Sequence, residues 1–347
     1  MESGIFFSDY RSDMALRRMP LQKVRTGLLL VGLVVFPFLA TPYWLNLANQ
    51  IAIATIGAIG LNILVGYTGQ ISLGQGAFMA VGAYGSGLLT VRLDVPFYLS
   101  IPAAAAITAV AGLVVGLPSL RLKGLYLAVA TLAAQQIVEF VVTHWDGLTG
   151  GTEALVVPAP ELFGARMNTD GRFYWILVVV ALAVALFAAN LFRSRVGRAW
   201  VAIRDQDIAA SAIGVNVFGY KLLAFATSSF LVGLSGALLA HYRSIVTWER
   251  FTIEVSISYL AMIIIGGLGT ISGSFFGASL IVLLPAMINT LGRSLQDTAP
   301  WAATVLPYVQ QGVFGLVIIL FLVLEPEGLA KLWRNVKDYF RVWPFSY

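Results

Sequence analysis

Few side chains in this sequence have the chemistry to act alone, and what is missing narrows the options. There is no Cys, which excludes disulfides, thiolate metal sites and cysteine nucleophiles. His144 and His241 lie far apart in sequence, so neither a histidine metal cluster nor a Ser-His-Asp constellation has much to draw on. No GxxxxGKS or GxxxxGKT phosphate loop occurs, and the chain cannot bind ATP in that manner. The polar chemistry gathers instead between Arg193 and Lys221, the longest soluble-looking run between two strongly apolar ones. It carries Arg193, Arg195, Arg198, Arg204 and Lys221, with Asp205 and Asp207 among them. From Ala199 to Ile213, Ala199, Val201, Ala202, Ile208, Ala209, Ala212 and Ile213 recur in an imperfect helical stripe, and Gly214 follows where a C-terminal glycine cap belongs. This predicts one short amphipathic helix, too polar to span a membrane. Its arginines either fix topology and no more, or dock a partner.

A second polar constellation sits inside apolar sequence. Between Gly57 and Gly87 the run GAIGLNILVGYTGQISLGQGAFMAVGAYGSG is dense in Gly and interrupted by Asn62, Thr68, Gln70, Ser72 and Gln75. Unwound helix at membrane depth is tolerated only where it is buried in protein or lines a cavity, and transporters present polar groups to substrate at such breaks. Tyr67, Thr68, Gln70, Ser72 and Gln75 therefore either line a translocation path or satisfy backbone groups freed by the break. The same ambiguity holds for the backbone of Gly266, Gly267 and Gly269 in IIIGGLGTISGSFFGAS, residues 263 to 279. Gly66, Gly69 and Ser72 recur as Gly266, Gly269 and Ser272, which a duplication or shared turn chemistry explains equally.

The elements that must position these residues follow from composition. Of 347 residues 59% are hydrophobic and 11% charged, and mean hydropathy is +0.84, far from a soluble mix. This is the composition of a polytopic membrane protein, and its 34 Gly suit closely approaching helices. The formal charge of +5 needs no nucleic acid, because the basic residues flank apolar spans. With about 20 residues needed to cross the hydrocarbon core, about ten spans are expected, at 26–44, 46–66, 72–92, 97–117, 124–143, 173–192, 220–242, 255–269, 273–292 and 306–324.

Charge sets the expected orientation. The basic N-terminus, residues 1–25, leads into an uncleaved first helix and is read as cytoplasmic. Arg121 and Lys123, the 193–219 loop, and Lys331, Arg334, Lys337 and Arg341 of a 325–347 tail then fall on one side, as the positive-inside rule asks. The opposite side holds the loop 144–172, rich in turn residues and expected to be a folded external element. Trp44, Trp145, Trp175, Trp248, Trp301 and Tyr308 fall near span ends on that side, where interfacial anchors belong. Ionisable residues are nearly absent from the spans, which argues against an ion-coupled carrier. Active transport would then need another protein to supply the energy.

RAWVAIRDQDIAASAIGVN resembles the coupling segment of ABC importer permeases of the branched-chain amino acid type, in which an acidic residue and two alanines precede a glycine, here Asp207, Ala209, Ala210 and Gly214. LNILVGYTGQISLGQGAFMAVGAY is similar to that family's signature, IGGLGTISGSFFGA to its late motif and TGGTEALVVPAPELFG to its external loop. Departures are Ala154, where a Gly is usual, and Asp at 205 and 207, where a Glu is usual at one or both. The resemblance covers about residues 46 to 290.

It implies an all-α polytopic transmembrane helical bundle, N-in and C-in, with broken Gly-rich helices and a cytoplasmic coupling helix. It also implies the M-type permease of a bacterial inner-membrane importer, working with a second permease as a heterodimer, two ATPase subunits that bind ATP and Mg, and an extracytoplasmic solute-binding protein. No cofactor is expected in this chain. Arg204, Asp205, Asp207, Ala209, Ala210 and Gly214 would seat in a groove of the ATPase. Branched-chain amino acids are the expected solute, with urea or short amides carried by sister systems. A passive channel or a secondary transporter are the readings from other classes.

Overall fold

A computed structural model describes residues 20–119, 122, 124–162, 164–296, 302–325 and 327–342. Arg11, Arg17, Arg18, Arg121, Lys123 and Trp301 lie outside the described residues. The order is α1 (Pro20–Leu39), α2 (Pro42–Asn62, continuing as a π-helical turn over Ile63–Tyr67), α3 (Gln75–Leu93), α4 (Phe97–Ser119), α5 (Leu125–His144) and α6 (Asp146–Thr149). Short strands β1 (Leu155–Val156), β2 (Glu161–Leu162) and β3 (Ala165–Arg166) precede α7 (Asp170–Arg193), α8 (Arg195–Asp205), α9 (Asp207–Ala212) and α10 (Val217–Arg243). Then come β4 (Ile245–Val246), a 3₁₀ turn at Trp248–Phe251, α11 (Ile253–Gly266), α12 (Ile271–Gln296), α13 (Ala302–Leu324) and α14 (Leu329–Val342).

Every apolar segment expected to span is helical, and the fold is all-α apart from the four two-residue strands. Among the described residues, six helices are long and apolar enough to cross a membrane alone, α2 with its π turn, α4, α5, α7, α10 and α12, and the bent pair of α13 and α14 makes up to seven. The described apolar helix in α1 runs from Thr26 to Leu39, and α11 has 14 residues because the Gly266–Gly269 break ends it. The 325–347 tail is not simply a tail, since most of its described residues form α14.

Outward faces are apolar, as lipid-facing surfaces must be: Val179 is 64% and Leu186 52% exposed on α7, and Leu316 60% and Val323 74% on α13. The interior holds the polar residues, among them Asn62, Gln75, Thr131, Gln135 and Ser256, all buried. Among the described residues no Asp, Glu, Lys or Arg is buried to the same degree.

Helix α10 is the centre of the bundle, packed on α2, α3 and α4. Glycine permits that closeness. A Cβ at Gly82 of α3 would strike the backbone of Gly233 of α10, and one at Gly236 would strike the carbonyl of Met79, so these two helices meet backbone to backbone.

The 144–172 segment is folded, as its turn residues predict. Antiparallel pairing of β1 with β4, Leu155 opposite Val246, fastens it to the end of α10, and β2 and β3 form a small hairpin with Glu161 opposite Arg166.

Candidate functional site

The site assembles where the 193–221 stretch meets the two glycine breaks. Helix α8 begins at Ser194, whose hydroxyl accepts from the Val196 amide at 3.2 Å, a normal N-cap. Its inner face is buried: Gly197 lies tight against the backbone of Leu191 and Phe192, Ile203 is buried, and Trp200 is wholly enclosed with its indole N–H donating to the Tyr220 carbonyl at 2.8 Å. So α8 is packed firmly on α7 and α10.

The single helix expected from 199 to 213 is instead two. Gln206 is extended (φ −160°, ψ 99°) and separates α8 from α9. Asp207 suits the first turn of α9, where an acid is favoured. Asp205 ends α8, where the macrodipole disfavours an acid, and its pair with Arg204 offsets that cost. Gly214 does cap the end, at φ +90°. The Val215 amide reaches back to the Ala210 carbonyl and the Gly214 amide to Ser211, a Schellman motif.

The residues singled out here face two ways. Arg204, Asp207 and Ala210 turn toward the bundle: Arg204 Nη1 donates to the Gly66 carbonyl at 2.9 Å, Asp207 pairs with Lys221 at 3.6 Å, and Ala210 is buried. Asp205 pairs with Arg204 in the open at 3.1 Å. Ala209 and Gly214 are exposed beside Ile208, 70% exposed, Ile213, 78%, and Phe218, 50%. That outer face is apolar and is covered by none of the described residues.

Inward, Arg204 touches the first glycine break at Gly66 and Gly69. The π-helical turn ends α2; Gly69 turns the chain at φ +67° with Arg204 lying against it, and Tyr67 stacks on Phe192 at 3.5 Å. The second break sits directly against the first. Asn62 Oδ1 accepts from the Gly269 amide at 2.8 Å, and its Nδ2 donates to the Thr270 carbonyl and to Ser274 Oγ, each at 2.9 Å. A Cβ at Gly66 would collide with Asn62 Oδ1 and with the Gly269 amide, so this joint admits only glycine. Gly266, Gly267 (φ +120°) and Gly269 (φ +71°) form the turn on the α11–α12 side. The two glycine-rich segments that share a sequence pattern thus touch, Gly66 against Gly269.

Thr68, Gln70, Ser72 and Gln75 are buried and bonded locally: Thr68 to the Leu64 carbonyl, Gln70 to Thr68, Ser72 to the Gly74 amide, and Gln75 Nε2 to the Gly57 carbonyl at 3.2 Å. Thr68 and Ser72 thus bond backbone beside the break, while Gln70 reaches only the Thr68 hydroxyl and its buried Oε1 has no partner among the described residues. The N–H groups that open α3 are held by residues the sequence reading passed over. Thr131 Oγ1 accepts from Leu73, Ser256 Oγ accepts from Gly76 at 2.8 Å, and Gln135 Oε1 accepts from Ala77. Gln135 also donates to the Phe251 carbonyl at 2.6 Å. The available signal was Thr131 and Gln135, four residues apart on one face of an otherwise apolar helix. A polar hollow of about 220 Å³ opens beside Thr68, Gly69, Gln70, Arg204, Asp207 and Lys221. At the far end of α3, a cleft of about 750 Å³ lies between Asp94, Tyr98 and the Pro158–Arg166 hairpin.

Residues 43–322 match the family model described as branched-chain amino acid transport system / permease component. The chain is 30% identical to the high-affinity branched-chain amino acid transport system permease protein LivM of Salmonella typhimurium over 90% of its own length and 76% of the relative's, with the same figures for LivM of Escherichia coli K12. The ribose import permease protein RbsC of Bacillus subtilis is 27% identical over 82% and 85% of the two chains. No solved structure matches. A bundle of lipid-facing helices, two abutting glycine breaks and a polar two-helix element clamped to them agree with these matches: the chain belongs to the branched-chain amino acid permease family of ABC importers.

Proposed function

We propose that this chain is the M-type permease of an ATP-driven importer of branched-chain amino acids in a bacterial inner membrane. It pairs with a second permease, two ATPase subunits dock on the α8–α9 side, and a solute-binding protein delivers substrate at the opposite face. The observation that carries the reading is the Arg204–Gly66 bond. It joins the element with an open apolar outer face to the joint where both broken helices meet. The exposed Ile208, Ala209, Ile213 and Gly214 surface suits a groove in a partner, and Gln206 supplies a hinge next to it. A push on α9 reaches α8, passes through Arg204 to the π turn of α2, and passes from Asn62 to the Gly269 turn. With Gly66 and Gly269 in direct backbone contact, the bonded Asn62 side chain is the link that carries the displacement across.

Substrate needs no buried charge to be passed. The N–H groups of Gly76 and Ala77 open a broken helix, where a solute carboxylate is well received, and Ser256 and Gln135 occupy them here. Branched-chain amino acids are favoured over sugars by the higher identity to the LivM relatives.

The test is uptake into proteoliposomes containing the complex co-purified with this chain, with labelled leucine, valine, ribose and urea offered through the binding protein. ATP-dependent uptake of leucine and valine, abolished together with ATPase binding by Asp207→Arg plus Gly214→Trp, supports the proposal. Ribose or urea as the only solute carried replaces the substrate class. Equal flux without ATP or partners makes the chain a channel.

A further inference from the structure

Helix α14 is absorbed by none of the above. It follows α13 after a bend of 53° and carries its residues in two strips. Leu329, Leu332, Trp333 and Val336 form one side, with Leu332 40%, Trp333 61% and Val336 43% exposed. Lys331, Arg334, Lys337 and Asp338 form the other, with Lys331 leaning on Glu327. At 14 residues it is about 21 Å long, too short and too charged to span.

Its position is fixed at both sides. Gly328 (φ +76°) lies against the Gly267 backbone, and a Cβ at Gly267 would be 3.2 Å from that of Ala330, so α14 starts on the second glycine turn, at the same end of the bundle as α8. The Trp333 ring sits 6.0 Å from that of Phe276 on α12. The neighbouring Phe275 is 49% exposed, so the apolar strip of α14 continues the lipid-facing surface of α12.

We infer that α14 lies in the membrane–water interface, with Leu332, Trp333 and Val336 among the acyl chains and Lys331, Arg334 and Lys337 against anionic phospholipid headgroups. Two observations select lipid over a protein groove. The strip is continuous with the exposed apolar face of α12, and the basic side chains follow directly on the apolar helix α13.

The cysteine-free sequence makes the test direct. Val336→Cys and Asp338→Cys are made singly in the full chain. The co-purified complex is placed in bilayers of phosphatidylcholine, or of phosphatidylcholine with phosphatidylglycerol, and modification by a water-soluble maleimide is timed. Val336→Cys is expected to react far more slowly than Asp338→Cys in both bilayers, and more slowly still with phosphatidylglycerol. Arg334→Gln and Lys337→Gln on the Val336→Cys background should remove that extra protection by roughly five-fold each. Two results overturn the proposal: Val336→Cys reacting as fast as Asp338→Cys in both bilayers, or protection that persists in detergent and vanishes when the ATPase subunits are stripped. The second would assign the strip to a protein partner.

Discussion

Arg204→Met separates transmission from assembly. The side chain makes one bond to the bundle, Nη1 to the Gly66 carbonyl at 2.9 Å, and one exposed pair with Asp205 at 3.1 Å. A hydrogen bond from a charged donor contributes about 1.5 to 3 kcal/mol, whereas an exposed ion pair contributes about 0 to 1. Because the Arg204 side chain is 39% exposed, water replaces part of what is lost, and about 1 to 2 kcal/mol is the reasonable figure. Met keeps the stem packed against Gly69, so the surface offered by α9 is undisturbed. Solute moved per ATP hydrolysed should fall roughly five- to thirty-fold, while the amount of ATPase subunit co-purified stays at the wild-type level. Arg204→Lys should recover little, since a single ammonium on a flexible stem does not reproduce the planar fork. The assay is uptake and hydrolysis on one proteoliposome preparation. Uptake and hydrolysis falling in equal proportion, or neither changing, would refute the clamp.

Gly66→Ala should prevent folding of the joint: the new methyl meets Asn62 Oδ1 and the Gly269 backbone, and overpacking of this kind costs about 1 to 3 kcal/mol, readable as a lowered melting temperature in detergent. Ile208→Asp with Ile213→Asp should leave that melting temperature unchanged, because both side chains are more than two-thirds exposed, yet lose the ATPase subunits on co-purification. Gln135→Leu should destabilise the start of α3 by about 1 to 3 kcal/mol for the unpartnered Ala77 amide; Gln135→Glu keeps the acceptor but, when ionised, loses the donor to the Phe251 carbonyl, so in the same thermal assay it should recover stability only at acidic pH, where the neutral carboxyl can donate.

The helices were legible because their signal is local: runs of apolar residues of spanning length, bounded by charge, read the same in sequence and in structure. The Gly214 cap was legible for the same reason. The division of α8 from α9 was not, because the apolar stripe resumes at Ile208 beyond Gln206 and only Asp207, an acid suited to a first turn, marks a new helix start. Nor was the orientation of the charged residues. A sequence shows that Arg204, Asp205 and Asp207 are close together, but not that Arg204 reaches 138 positions back to Gly66 while Asp207 turns to Lys221. Thr131, Gln135 and Ser256 look like ordinary span residues until α3 is placed among them.

The two glycine breaks differ in kind from an ordinary close helix crossing. If Gly66 and Gly269 served only to let helices approach, small residues at helical spacing would suffice, as at Gly82 against Gly233, where straight helices cross without interruption. Here both chains are unwound at the contact, a π turn on one side and residues with positive φ on the other. Asn62 spends both ends of its amide holding one break to the other. Unwound backbone inside a membrane domain costs hydrogen bonds that a straight helix would keep. Asn62 and Arg204 replace some of them with bonds between elements, and bonds of that kind can be exchanged when α8 moves, whereas bonds within a helix cannot without melting it.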